Sequence, residues 1–330
     1  MIYALYAALG FIGLIILYIG WLVLKSYMIA KKAEKYLPPL GEFMEVDGEK
    51  IHYLDRGKGP VLVLIHGLSG QMRNFTHSML ERLENDFRVI IIDRPGCGYS
   101  TRKSDDAARI SQQANTIAAF IRKLDLKEKP LIAGHSLGGG ITLSLAINHK
   151  DIVGGVALIS ALTHPVSRDR EIPTVFKGLA IRSPLMRRIV AWTLATPASI
   201  KNGPAALANV FSPEPFPADV STKGGGMLGL RPWAYYAAST DFNKSIIDIE
   251  HMPQHYSDLE MPVGLIYGTQ DNILDYEAHA LPLKEKIRDL DLELLENCGH
   301  MIPITQPDAV TAFIKRQAVR MHTPAMQAVN

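Results

Sequence analysis

The chain has 330 residues with a formal net charge of +2, and 47% of them are hydrophobic against 21% charged. That is enough for one large domain or two small ones around a large core, which excludes wholesale disorder. A near-neutral balance without a basic stripe excludes a nucleic-acid binder, and two cysteines, Cys97 and Cys298, with no C-x-x-C pair support neither a zinc ribbon nor a disulfide framework.

The first element is a run of 23 uncharged residues from Ile2 to Leu24. As a helix it would be about 34 Å long, against ~30 Å of bilayer hydrocarbon. Tyr3 and Tyr6 stand near one end and Trp21 near the other, where interfacial aromatics belong. A cleaved signal peptide fits poorly, because there is no positive n-region and no A-x-A site. Residues 1–24 therefore read as a retained single-pass transmembrane helix in a lipid bilayer. Gly10, Gly13 and Gly20 offer a face for a homodimer through that helix. Residues 25–41 read as a basic juxtamembrane linker. Its Lys25, Lys31, Lys32 and Lys35 put the following domain in the cytoplasm by the positive-inside rule, with an extracytoplasmic placement as the alternative.

Next come "KIHYLDRG", which alternates as a half-buried strand, and "VLVLIHG", a continuous apolar run as in buried parallel strands. "THSMLERLENDF" has helical spacing, "RVIIID" is another buried strand, and "ISQQANTIAAFIRKL" is an amphipathic helix. "LIAG" is a strand, "LGGGITLSLAINHK" a helix and "GVALIS" a strand. From 162 to 260 prolines and scattered helical stretches replace the strands. "VGLIYG", "YEAHALPLKEKIRDL", "DLELLE" and "PDAVTAFIKRQA" then restore the alternation. The expected fold is α/β, a doubly wound mostly parallel sheet over 42–161 and 261–318, split by a helical cap or lid over 162–260 and followed by a loose tail over 319–330. Ligands of such sheets sit at the C-terminal ends of the strands, which the insertion would cover.

Gly134-His135-Ser136-Leu137-Gly138 is a G-x-S-x-G sequence between a strand and a helix. Glycines allow the tight turn that lifts Ser136 above the sheet, and the helix start supplies unpaired N–H groups, among them that of Leu137. A serine needs a base and the base an orienting carboxylate, in the chain order Ser, acid, His. Asp271 follows the strand "VGLIYG" and His300 follows "DLELLE". Asp275 lies further from its strand end, and Asp241 and Asp248 lie in the insertion, so they rank below Asp271 as the acid. The N–H of Leu68, in the loop after His66-Gly67, is the second expected oxyanion donor. His66 reads as a residue holding that loop, His135 as a packing residue, and Asp93 and Arg94 as braces of the sheet-edge loop.

The sequence resembles the α/β-hydrolases of the broad esterase and lipase group. The resemblance rests on His66-Gly67, "DRPGCGYS" from Asp93 to Ser100, the turn at Ser136, "GTQD" and "GHMIP", in that order across residues 45 to 318. It implies a triad of Ser136, Asp271 and His300, oxyanion donors at Leu68 and Leu137, and no metal or organic cofactor. Serine rather than aspartate at the turn implies acyl transfer. His66, His135 and Trp233 are candidate substrate contacts, with Trp233 lining an acyl pocket and Gly224 to Gly226 hinging a lid. A bilayer anchor favours a lipid ester substrate: monoacylglycerol, lysophospholipid or phospholipid. It is similar to single-pass membrane-anchored lipases of this fold. The alternatives are a tethered esterase for small soluble esters, a thioesterase or acyltransferase with the same triad, and a lipid-binding protein without turnover.

Overall fold

The computed structural model describes residues 1–166 and 174–322. The last residues of the expected tail, 323–330, and residues 167–173 of the insertion lie outside it. Eight strands form one sheet: β1 (Glu42–Val46), β2 (Glu49–Arg56), β3 (Val61–Ile65), β4 (Arg88–Ile92), β5 (Leu131–His135), β6 (Gly155–Ile159), β7 (Val263–Gly268) and β8 (Asp291–Leu295). Their spatial order is β1-β2-β4-β3-β5-β6-β7-β8. The β1–β2 and β2–β4 pairs are antiparallel and all the others parallel. This is the doubly wound, mostly parallel sheet expected from the sequence.

Strand β1 lies in the first residues of the expected core, for which the sequence pattern predicts no element. Its signal is the Asp47-Gly48 pair, whose φ angles of 50° and 81° close a two-residue hairpin onto β2. The helices are α1 (Ile2–Tyr36), α2 (Arg73–Thr76), α3 (Leu80–Leu83), α4 (Ile110–Lys123), α5 (Leu137–Asn148), α6 (Thr174–Lys177), α7 (Pro184–Val190), α8 (Thr196–Phe211), α9 (Pro232–Ile249), α10 (Tyr276–Lys286), α11 (Ile302–Thr305) and α12 (Pro307–His322).

Both faces of the sheet are covered, and this is why the central strands are apolar without alternation. Val63, Ile65, Ile90 and Ile92 face a layer with Ile117 and Ile121 of α4, Ile141 and Leu145 of α5, and Leu283 of α10. Their neighbours Leu62, Leu64, Val89 and Ile91 face Phe75, Met79, Leu83, Phe313 and Ile314. Each such side chain, fully buried, contributes about 1.5–3 kcal/mol. Helix α5 is apolar all round because it is buried all round, from Leu137 to Ala146.

Helix α1 departs from the expected division into anchor and linker. It runs unbroken to Tyr36, through the four lysines. At 35 residues it is about 52 Å long. Its first part is exposed, apolar and long enough to cross a membrane. Its last turns carry a buried stripe of Leu22, Ser26, Ala30 and Ala33, one residue every helical turn. The small side chains let the helix lie close on the cap, against a π-helical turn at Ala191–Ala195 and the short helix Gly226–Leu230. Polar ties lock the end: Tyr99 Oη donates to the Leu37 carbonyl at 2.5 Å, and Arg73 donates to the Pro38 carbonyl at 2.8 Å.

The two halves of α1 should therefore respond differently to truncation. Deleting residues 1–20 should leave the thermal midpoint of the detergent-purified protein within a few degrees of the full chain. Deleting residues 1–36 uncovers the cap face and should lower it markedly or cause aggregation. Equal midpoints for the two truncations would contradict the packing.

Candidate active site

The turn between β5 and α5 is a forced close approach. A Cβ at Gly138 would lie 2.2 Å from the Ile65 carbonyl oxygen, and one at Gly134 would lie 2.4 Å from the Gly138 carbonyl oxygen. Ser136 between them has φ 55° and ψ −121°, a region that costs a non-glycine residue on the order of 1–3 kcal/mol. The sheet holds it there. Its N–H donates to the Ile159 carbonyl at 3.0 Å, and its carbonyl accepts from Gly139 at 2.9 Å and Leu162 at 3.0 Å.

His300 follows β8 and Asp271 follows β7. His300 Nδ1–H donates to Asp271 Oδ2 at 2.7 Å, while Asp271 Oδ1 accepts from the N–H groups of Ile273 at 2.8 Å and Leu274 at 2.9 Å. Each carboxylate oxygen is thus assigned, and the proton on Nδ1 leaves the lone pair on Nε2. Two further contacts hold the imidazole's backbone. His135 Nε2–H donates to the His300 carbonyl at 3.0 Å, and the Gly299 N–H donates to Glu214 of the cap at 2.9 Å. Ser136, Asp271 and His300 are only 7%, 7% and 4% exposed.

The loop after β3 lies against the serine: a Cβ at Gly67 would be 2.8 Å from the Ser136 Cβ. The Gly67 carbonyl accepts from His66 Nδ1–H at 2.9 Å, Arg94 Nη2 at 2.9 Å and Gly70 N–H at 3.2 Å. In a trans peptide the C=O and the next N–H point in opposite directions, so pinning this oxygen sets the direction of the Leu68 N–H. Among the described residues neither the Leu68 nor the Leu137 N–H has an acceptor in the protein.

Several sequence candidates are engaged by partners within the protein. Both His66 nitrogens are taken by backbone groups, since Nε2 accepts from the Arg94 N–H at 3.0 Å. His66 therefore holds the loop, as the sequence suggested, and has no nitrogen left for a substrate. His135 sits beneath His300, with ring centroids 4.8 Å apart, and its Nε2–H is spent on the His300 carbonyl. Trp233 clusters with Trp192, ring centroids 6.2 Å apart, and with the Arg231 guanidinium at 5.5 Å, at the start of α9. Gly224 is docked on the core, its carbonyl accepting from Gln71 and Asn74. Asp275 caps α10 by accepting from the Glu277 N–H, and Asp248 pairs with Arg109. Asp93 accepts from His52, Met72 and Tyr99. Burial works to raise its pKa, and the His52 and Met72 hydrogen bonds outweigh it and hold the carboxyl below its usual range.

A cavity of about 60 Å³ lies between Ser69, Gly70, Cys97 and the cap residues Leu228, Arg231 and Ala238. A wider concavity of about 490 Å³, between Lys150, Glu260 and Met321, lies at the opposite end of the strands and holds none of the groups above. Among the described residues no cluster of His, Cys, Asp and Glu could hold a metal. Sequence reasoning missed Glu214, which no motif marks.

The serine in its strained strand-to-helix turn and the carboxylate–imidazole pair after β7 and β8 thus lie at the same C-terminal edge of the parallel strands. The model of the alpha/beta hydrolase family matches residues 62–313. The chain belongs to the alpha/beta hydrolase family. It is an esterase- or lipase-type hydrolase, as the sequence resemblance implied. Monoacylglycerol lipase ABHD6 of Bos taurus is 24% identical over 258 residues, covering 76% of this chain and 73% of that one. The Homo sapiens protein of the same name is 22% identical over 280 residues, covering 78% and 75%. Among solved structures, a membrane phospholipase A described as a bacterial virulence factor superposes with a TM-score of 0.69 at 21% identity, covering 96% of this chain and 99% of that one. At that identity the likeness shows the fold.

Two of the buried histidines of this hydrolase site, His66 and His135, make its stability pH-dependent. Burial, then the Arg94 charge, pushes His66 down to about 3, and burial, then His300, does the same to His135, from the ordinary 6.5. An unfolded chain takes up these protons from about pH 6.5 downward, and the folded chain does so only near 3, so stability falls with acid across that window. The slope is at most roughly 1.4 kcal/mol per pH unit for each histidine. The thermal midpoint should drop between pH 7 and pH 4, and His135→Gln, which keeps a donor to the His300 carbonyl, should lessen the drop. A flat midpoint across that range would contradict neutral burial.

Proposed function

We propose that this chain is a membrane-tethered serine hydrolase of lipid carboxylic esters, with Ser136 as nucleophile, His300 as base and Asp271 as its orienting carboxylate. The 2.7 Å bond between His300 and Asp271, beside a serine held in the elbow, supports this reading most directly. Ser136 Oγ attacks the ester carbonyl carbon as its proton passes to His300 Nε2. The carbonyl oxygen becomes an oxyanion facing the N–H groups of Leu68 and Leu137, each worth on the order of 3 kcal/mol. The tetrahedral adduct collapses to acyl-Ser136, and the alcohol leaves with the proton from His300. Water, activated by the same imidazole, releases the fatty acid and restores the serine.

The lipid substrate class is supported by α1, by the relatives named as monoacylglycerol lipases and by the membrane phospholipase neighbour. A helix that crosses the bilayer and then lies on the cap brings the covered site close to the membrane surface. Monoacylglycerols, lysophospholipids and phospholipids are the candidate esters. The lysines of α1 favour the cytoplasmic side for the catalytic domain.

Turnover should be compared on p-nitrophenyl esters of increasing chain length, monoacylglycerol, lysophospholipid and phospholipid, using detergent-purified protein. Long-chain esters and at least one lipid should be hydrolysed, and Ser136→Ala should lose on the order of 10⁴-fold or more in kcat while staying folded. Turnover confined to short soluble esters would overturn the lipid reading, and near-normal activity of Ser136→Ala would overturn the nucleophile. Removing residues 1–20 should shift the protein from the membrane pellet to the supernatant; continued pelleting would mean that α1 is not the tether.

A further inference from the structure

Arg94 and Asp241 are fully buried, and the sequence reading gave neither a part in the chemistry. Arg94 Nη1 donates to Asp241 Oδ2 at 2.9 Å and to Gln113 Oε1 at 2.6 Å, while its Nη2 donates to the Gly67 carbonyl at 2.9 Å. Arg102 donates to the other Asp241 oxygen. Asp241 belongs to α9, a cap helix, and Gly67 to the loop that carries the Leu68 N–H. One guanidinium therefore joins the cap to the expected oxyanion donor. A planar fork can serve two acceptors at fixed directions, which a single ammonium cannot. A buried ion pair is weak evidence of net stabilisation, because desolvation offsets much of the attraction, and fixing one arrangement is its better-attested use.

Resting on the serine-hydrolase reading above, we propose that Arg94, oriented by Asp241 of the cap, is a positioning residue for the oxyanion hole. The chain of contacts runs Asp241, Arg94, Gly67 carbonyl, Leu68 N–H. Arg94 touches no reacting atom. Together with His66 and the Gly70 N–H it fixes the plane of the Gly67–Leu68 peptide, and of the three donors it is the one whose alignment depends on α9 being docked. Arg231, the N-cap of α9, donates to the Gly98 carbonyl at 2.6 Å and pairs with Glu34 of α1 at 3.7 Å. The cap and the membrane helix thereby share one route to the oxyanion donor.

The test compares Arg94→Lys, Asp241→Asn and Ser136→Ala in the full-length protein, with kcat and KM on one p-nitrophenyl ester, the phosphonylation rate with a fluorophosphonate, and the thermal midpoint. Arg94→Lys keeps a charge beside Asp241 and loses the fork. It should lower kcat and the phosphonylation rate together by about 10- to 100-fold, part of the cost of deleting an oxyanion donor, with KM within about threefold and the midpoint nearly kept. Asp241→Asn should show the same split; if it does not fold, Arg94→Lys decides alone. Unchanged kcat in folded Arg94→Lys, or a rise in KM without a loss of kcat, overturns the proposal while an inactive Ser136→Ala leaves the hydrolase reading standing. An active Ser136→Ala overturns both.

Discussion

The whole site hangs on one strained residue. Ser136 sits at φ 55° because β5, the strand before it, is locked between β3 and β6, and because α5 starts against the end of β3. The strain of ~1–3 kcal/mol is small beside the apolar burial around it, where Ile65, Ile132, Leu137, Ile141 and Leu158 are all in one cluster. The core therefore over-determines the turn, and the turn in turn dictates where loops after β3, β7 and β8 must converge. A side chain at Gly138 would push α5 off the Ile65 carbonyl and would undo strand packing and site geometry together.

Polar groups then specify what the apolar core leaves free. Burial this deep makes an unpaired charge or donor costly, and four of the buried side chains that frame the site have named partners. His66 and Arg94 are spent on the Gly67 carbonyl, His135 on the His300 carbonyl, and Asp271 on one imidazole and two N–H groups. Among the described residues, Leu68 and Leu137 are the exception, two N–H groups with no acceptor, one of them next to Ser136 in the chain. Leaving donors unmade is costly, and the proposed role of these two, to meet a developing oxyanion, is one that would offset that cost.

Helix α1, long and apolar enough to cross a membrane, is part of the same solid. Its lower half has no transmembrane character: it is a small-residue stripe packed on the cap, ended by hydrogen bonds to the Leu37 and Pro38 carbonyls. A continuous helix packed along its last turns fixes the direction of its apolar half relative to the sheet, and the ion pair between Arg231 and Glu34 joins it to the residue that caps the helix carrying Asp241.

Local sequence determined a great deal. Unbroken apolar runs announced strands buried on both faces, G-x-S-x-G marked the elbow, and acid and histidine followed in order at Asp271 and His300. Those signals are legible because each depends on a residue's own chain neighbours. The Asp47-Gly48 turn carries its own local signal too, but the strand before it, Glu42–Val46, alternates too weakly to announce itself. Tertiary structure alone decided the rest. That His66 faces inward, that Trp233 joins Trp192, that Glu214 holds Gly299 and that Asp241 reaches Arg94 all depend on contacts between residues far apart in the chain, for which composition and spacing carry no signal. The same holds for α1: its lysines read as a solvated linker until the cap supplied a surface on which Ser26, Ala30 and Ala33 could be buried.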